Sequence, residues 1–205
     1  YKAETSAKPT RRLPFAPEII VPLAQSIGKP AKALVFKGQQ VTRGEIIAEA
    51  DGFMSVPIHA PVTGKIKTID IFMTATGQKL PAISITTSLN SGQVILDTEC
   101  QQDYLQLSRA ELIQAVKNTG MVGLGGAAFP THVKMSIPDD RKIHTILVNG
   151  CECEPFLTTD HRVMLEKIEQ LLLGIRIAMK CVDAPKAIIG VEDNKTDVLA
   201  AIKPY

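Results

Sequence analysis

The stretch Gly38-Gln-Gln-Val41-Thr-Arg-Gly44-Glu-Ile-Ile47, answered by Ile58-His-Ala-Pro61-Val-Thr-Gly64-Lys-Ile66, decides the fold of the first half of this chain. Its apolar residues come in short runs interrupted by glycine and proline. That is the spacing of short strands joined by tight turns, not of a helix. Working outward, β-type runs at 33–36, 45–48, 65–69 and 82–85 are separated by turns at Gly38, Gly44, Gly52, Pro61, Gly64 and Gly77. These predict a small all-β module over 33–88. Ahead of it, residues 1–30 hold five of the thirteen prolines and the basic side chains Lys2, Lys8, Arg11 and Arg12. Residues 1–32 therefore read as an extended basic arm, either solvated or docked onto an acidic partner or an anionic lipid surface.

With 205 residues and 45% apolar composition, the chain can bury a real core in one or two domains. Its 23 Lys+Arg against 21 Asp+Glu exclude both a disordered acidic chain and a strongly basic nucleic-acid binder. Residues 1–43 carry a net +6 and the remainder −4. No run approaches the roughly 18 charge-free apolar residues of a spanning helix, so a soluble or peripherally attached protein is expected. Tryptophan is absent and aromatics make up only 4% of the chain, too few for a nucleic-acid stacking platform. Cys100, Cys151, Cys153 and Cys181 lack C-x-x-C spacing, which points to a reducing compartment. The chain starts without methionine or a basic-then-apolar leader, as expected of a segment of a longer protein.

The pattern over 38–66 resembles the barrel-sandwich fold of biotinyl and lipoyl carrier domains. Such carriers present a modifiable lysine at a hairpin tip between the two halves. Here the tip reads Ala50-Asp-Gly-Phe-Met-Ser55, without lysine. A structural or docking module is expected, not a swinging arm.

After a polar linker around 88–102, helical signals begin. Ser108-Arg-Ala-Glu111 is a capping box, Leu112, Ala115, Val116 and Thr119 share a face, and Asn118-Thr-Gly120 stops the helix. Residues 143–148 and 187–191 read as strands buried on both faces. Between them a helix is expected from about 160 to 181, with Val163, Ile168, Leu171, Leu172, Ile175 and Met179 on its core side. A further helix starts at 196–202. Strand, helix, strand, helix implies a parallel sheet with a right-handed crossover, so 103–205 reads as part of an α/β domain. The expected fold class is thus multidomain, an all-β module followed by a parallel α/β domain.

Two constellations carry chemistry. Gly120-Met-Val-Gly123-Leu-Gly125-Gly126 is dense enough in glycine for main-chain N–H groups to converge on an anion. It opens a helix at Pro130-Thr131 that adds positive dipole. It is neither a dinucleotide fingerprint nor a Walker loop, and a hinge would look similar. Lys134 can neutralise a phosphate there or be a surface lysine, and Phe129 is a core plug or a stacking face. The second constellation, Asn149-Gly-Cys-Glu-Cys-Glu-Pro155, follows the first strand at the carboxyl end, where parallel sheets place ligands. If extended, it points Cys151 and Cys153 one way and Glu152 and Glu154 the other. Carboxylates suit ribose hydroxyls or a ring edge. No Cys or His cluster completes a metal site.

Gly123-Leu-Gly-Gly-Ala-Ala-Phe-Pro-Thr-His-Val-Lys134, with Asn149-Gly-Cys-Glu-Cys-Glu-Pro155 and Asp160-His-Arg162, resembles the C subunit of Rnf-type ion-translocating electron transport complexes. It is more distantly similar to the flavin-carrying, NADH-oxidising subunit of respiratory complex I. The resemblance implies FMN and NADH as cofactors, with hydride transfer between nicotinamide C4 and flavin N5 and onward electron flow through iron–sulfur clusters. It implies that Gly123, Gly125 and Gly126 approach FMN and the NADH phosphates, that Phe129 stacks on the nicotinamide nucleotide and that Lys134 lies near the phosphates. Asn149 then contacts the flavin, and Glu152 and Glu154 line the pocket. Implied partners are the other subunits of a membrane complex and, indirectly, ferredoxin-type carriers. The implied place is the cytoplasmic face of the bacterial inner membrane. Leu124 and Cys151 stand where complex I has arginine and aspartate, and Ala128 where the usual form has glycine, harmless only at negative φ. The family's later flavin-binding segments and cysteine-rich motifs are not in these 205 residues, which alone are expected to hold flavin weakly and to be inactive. A soluble cobalamin-reductase-like flavoprotein of microcompartments and a non-catalytic docking scaffold are the alternatives.

Overall fold

The structure, a computed structural model, describes residues 1–75, 77–95, 103–124 and 126–205. A short helix, α1 (Ala3–Ser6), opens the chain. It is followed by β1 (Glu18–Pro22), β2 (Lys32–Ala33), β3 (Gln40–Val41), β4 (Ile46–Glu49), β5 (Ile58–His59), β6 (Gly64–Met73) and β7 (Lys79–Thr87). Helices α2 (Arg109–Asn118) and α3 (Thr131–Met135) come next, then β8 (Thr145–Asn149), α4 (Thr159–Glu166), α5 (Ile168–Val182), β9 (Lys186–Gly190) and α6 (Thr196–Ile202). Two compact units result: Pro14–Ser136, and Tyr1–Leu13 together with Ile137–Tyr205.

The first unit is the expected barrel-sandwich. One sheet has the order β1-β7-β6-β3 and the other β2-β4-β5, with every pairing antiparallel. Turn glycines and prolines separate the strands, and alternate β-branched residues face inward while Ile20, Ile46 and Ile71 face outward. Ile47, Ile66, Ile83 and Ile85 are fully enclosed with Val41 and Val62. Each such isoleucine contributes about 2 kcal/mol by burial. Part of the linker also belongs to this unit: Gln93 is buried, and its amide accepts from Thr63 N (2.8 Å) and donates to the Thr63 and Ser88 carbonyls. Residues 96–102 of that linker, with Cys100, lie outside the described residues.

The arm expected over 1–32 is divided between the units. Glu18–Pro22 pairs along β7 because Ile19-Ile20-Val21 is a β-branched run with an apolar face to bury. Residues 1–13 pack with the second unit.

In the second unit β8 and β9 pair in parallel, from Thr145 against Lys186 to Asn149 against Gly190. The expected crossover helix is two helices, broken at Lys167 (φ −133°, ψ 30°). The break shifts the phase, so Met164 and His161 are buried in α4 while Val163 is exposed, contrary to the single-helix reading. Burial of both strands on both faces is also not what the described chain shows, since the in-register pair Leu147 and Ile188 is exposed, at 77% and 42%. No helix among the described residues is long and apolar enough to cross a membrane.

Candidate functional site

The glycine loop is held at both ends. Helix α2 starts on the predicted capping box, where Ser108 Oγ accepts from Glu111 N and the Glu111 carboxylate accepts from Ser108 N (2.8 Å). It stops at Gly120, whose φ of +71° is left-handed and whose added Cβ would meet the Pro57 carbonyl oxygen at 2.5 Å. Only glycine fits this approach to the β module. The far end is pinned by Thr131 N donating to Met121 O (3.0 Å), Gly123 N donating to Phe129 O (2.9 Å) and a bridge between Val122 and Pro130.

Inside this pinched loop Gly123, Phe129 and Lys134 come together. Lys134 Nζ lies 5.9 Å from the Phe129 ring centroid and would be 3.4 Å from a Cβ on Gly123. The Gly123 amide is committed to the Phe129 carbonyl, so Gly123 offers no free donor, and a Cβ there would stand only at ordinary contact distance from the ammonium. Gly126 sits at φ +129° with nothing within 4 Å of an added Cβ, and Leu124 beside it is 96% exposed. Gly125 lies outside the described residues. Helix α3 has five residues, so its dipole adds little, and Lys134 in its last turn is a cation beside the loop. Ala128 sits at φ +48°, in the left-handed region, so its methyl is strained where glycine would be at ease.

Sequence reasoning missed the anchor behind this loop. His132 is 2% exposed, its Nε2 donates to the Phe53 carbonyl (2.8 Å), and its ring meets the Phe53 ring edge-on at 5.8 Å. Phe53 belongs to the hairpin tip where a carrier domain keeps its lysine. The tip is thus tied to α3, and Lys32 and Asp51 pair beside it at 3.0 Å. Burial pushes the His132 pKa below the usual imidazole value, so the ring stays neutral and its second nitrogen is buried without a partner. Nothing local in the sequence signals a contact between residues 79 positions apart.

On the second unit the acidic segment leaves β8 through an Asx-type turn, with Asn149 Oδ1 accepting from Cys151 N (3.1 Å). Gly150 is required there, because a Cβ would meet Gly190 O and Met164 Sδ, both at 2.9 Å. The segment is not an extended strand and its glutamates do not share a face. Glu152 is 3% exposed and its carboxylate accepts from Asp160 N (2.7 Å) and His161 N (3.3 Å), closing the start of α4. Glu154 is exposed. Asp160, beside them, has its pKa raised by burial and by the neighbouring Glu152 and Glu154. Behind α4, His161 Nε2 bonds Asp197 (2.8 Å) while buried Lys195 reaches His161 Nδ1 (3.4 Å). This pairing too had no local signature. Among the described residues no group of three or more His, Cys, Asp or Glu is placed to hold a metal ion.

Comparison with known proteins meets this geometry at both units. Residues 1–90 match the family described as the RnfC barrel sandwich hybrid domain, and residues 116–204 match the Nuo51 FMN-binding domain. The C subunit of the Na(+)-translocating ferredoxin:NAD(+) oxidoreductase complex of Acetobacterium woodii is 40% identical over 98% of this chain and 46% of its own length. The chain is homologous to Rnf-type C subunits. The proton-translocating counterpart from Clostridium ljungdahlii is 36% identical over 98% of the chain and 44% of its own length. The C subunit of the ion-translocating oxidoreductase complex of Haemophilus influenzae is 32% identical over 98% and 24%. The chain thus spans less than half the length of the RnfC relatives it matches. Both the pinched glycine loop and the Asn149–Glu154 turn lie within the span matched by the FMN-binding family.

Proposed function

We propose that this chain belongs to the peripheral subunit of an ion-translocating ferredoxin:NAD oxidoreductase, at the cytoplasmic face of a bacterial inner membrane. In this reading it provides residues for binding FMN and NADH. The observation that carries the proposal is the placing of Lys134 against Gly123 and Phe129: an ammonium and an aromatic face at a glycine loop within the matched FMN-binding family. The fit to a flavin nucleotide rests on the chain's own donors. Lys134 supplies a fixed positive charge for phosphate, and Gly126 leaves space for close approach. Gly125 shares that loop, and Phe129 offers a ring for stacking. Asn149 and Glu154 present polar groups suited to ribose or ring edges, while Glu152 shapes their turn from within.

Lys134, Phe129 and the glycine loop would help to hold FMN, which when bound would supply hydride-accepting and single-electron-donating chemistry between a nicotinamide nucleotide and iron–sulfur carriers. The chain's residues need no nucleophile for this. They orient the two rings and compensate phosphate charge. Other subunits of the complex are the partners, with ferredoxin-type carriers reached indirectly.

The test is FMN and NADH titration of the full-length protein. Lys134→Ala is expected to weaken NADH binding about tenfold, the cost of about 1.4 kcal/mol, with the unfolding temperature unchanged. NADH affinity equal to the parent's removes Lys134 from the site, and absence of FMN and NADH binding by the parent overturns the proposal.

A further inference from the structure

In the second unit a set of hydrogen bonds and a ring contact joins residues 1–10 to the acidic loop and to α4. Lys2 Nζ donates to the Glu152 main-chain carbonyl. Thr5 Oγ1 donates to the Phe156 carbonyl at 2.9 Å, and the Tyr1 and Phe156 rings lie 5.8 Å apart. Arg162 donates to the Ser6 carbonyl at 3.1 Å while holding Glu166 at 2.6 Å, and Glu166 in turn accepts from Thr10 N and Oγ1 at 3.1 and 2.5 Å. Hydrogen bonds from Thr10 and Arg162 hold the Glu166 carboxyl at about 2, so this anchor stays charged well into acid.

The loop under the segment needs holding. Phe156 has φ +65°, a left-handed backbone that a bulky side chain rarely adopts and that persists only when its surroundings over-determine it. Glu152, Glu154 and Asp160 crowd negative charge there, and Lys2 is the cation that opposes it at Asp160. The bonds from Lys2 and Thr5 fall on the carbonyls of residues 152 and 156, one on each side of Glu154.

We propose that Lys2 and Thr5 are positioning residues for nucleotide binding: residues 1–10 form a strap that fixes the 152–156 loop, and with it Glu154, in the form that meets the ligand. This rests on the FMN and NADH reading above. Neither side chain touches the ligand. Both act through the two carbonyls they hold.

The test uses the full-length flavoprotein with FMN saturating and NADH as the varied ligand. Lys2→Met is expected to raise the NADH KM about tenfold with kcat within about twofold. Lys2→Arg, which keeps a donor, should return KM to within about threefold of the parent. Thr5→Val should raise KM about threefold, and the unfolding temperature should stay put in all three. Parent-like KM in both Lys2→Met and Thr5→Val overturns the strap while leaving the flavin assignment standing. A parent that binds neither FMN nor NADH overturns the assignment itself, and the strap's purpose with it. Should Lys2→Met fail to fold, Thr5→Val decides: a raised KM supports the strap and an unchanged one refutes it.

Discussion

Two single residues in this protein are held at a cost, one through its backbone and one through its charge. Ala128 occupies a left-handed conformation that disfavours any Cβ by roughly 1–2 kcal/mol, partly offset by the larger unfolded-state entropy of glycine. Ala128→Gly is therefore expected to stabilise the Pro14–Ser136 unit by about 0.5–1 kcal/mol, read as a higher urea midpoint with an unchanged slope. A lower midpoint would mean that the methyl makes contacts worth more than the strain. Asp160 is the second case. Its folded-state pKa lies above the ordinary value of 3.8, first through burial and then through Glu152 and Glu154, so ionising it costs more in the folded chain than in the unfolded one. That penalty is present at neutral pH and disappears once the pH falls below the unfolded value. Asp160→Asn should accordingly raise stability at pH 7 and leave it unchanged near pH 3. Equal effects at both pH values would show that the charge is not the cause.

Between elements, the decisive contact joins the lysine-less hairpin tip to α3. Through the His132 bond to the Phe53 carbonyl, the β module sets where α3 stands and hence where Lys134 points. His132→Ala should cost about 2–4 kcal/mol, from the buried imidazole and the unpaired carbonyl it leaves, and should loosen nucleotide binding as well. Phe53→Ala keeps the carbonyl and should cost less in binding than in stability. Thermal unfolding beside FMN titration separates the two, and an undisturbed nucleotide affinity in His132→Ala would free the loop from the tip. The sequence exposed the local half of this arrangement. The capping box at Ser108, the stop at Gly120 and the strands of the barrel all follow from neighbouring residues. The break at Lys167 did not show, because one apolar period runs through it and only the backbone changes phase. The helix closure by Glu152 was equally hidden, since a carboxylate in an acidic motif reads as a ligand whether it faces solvent or a helix end.

At the scale of the whole molecule, the order of β module and α/β domain was legible because each has its own periodicity, two for strands and 3.6 for helices. The contents of the compact units were not. Ile19-Ile20-Val21 joins the barrel and residues 1–13 join the α/β unit, pairings set by complementary surfaces far apart in the chain. Of the proposed site, the pattern supplied the candidate groups, whereas the bonds of Lys2 and Thr5 to the 152–156 loop and of His132 to the Phe53 carbonyl emerged only with the fold.

We propose that the glycine loop and the Asn149–Glu154 turn each contribute to flavin nucleotide binding, and amide hydrogen exchange of the full-length protein with and without FMN tests this most directly. Slower exchange on FMN addition both in 121–128 and in 149–154 is the predicted result. Protection confined to one of those segments, or falling on neither, would contradict it.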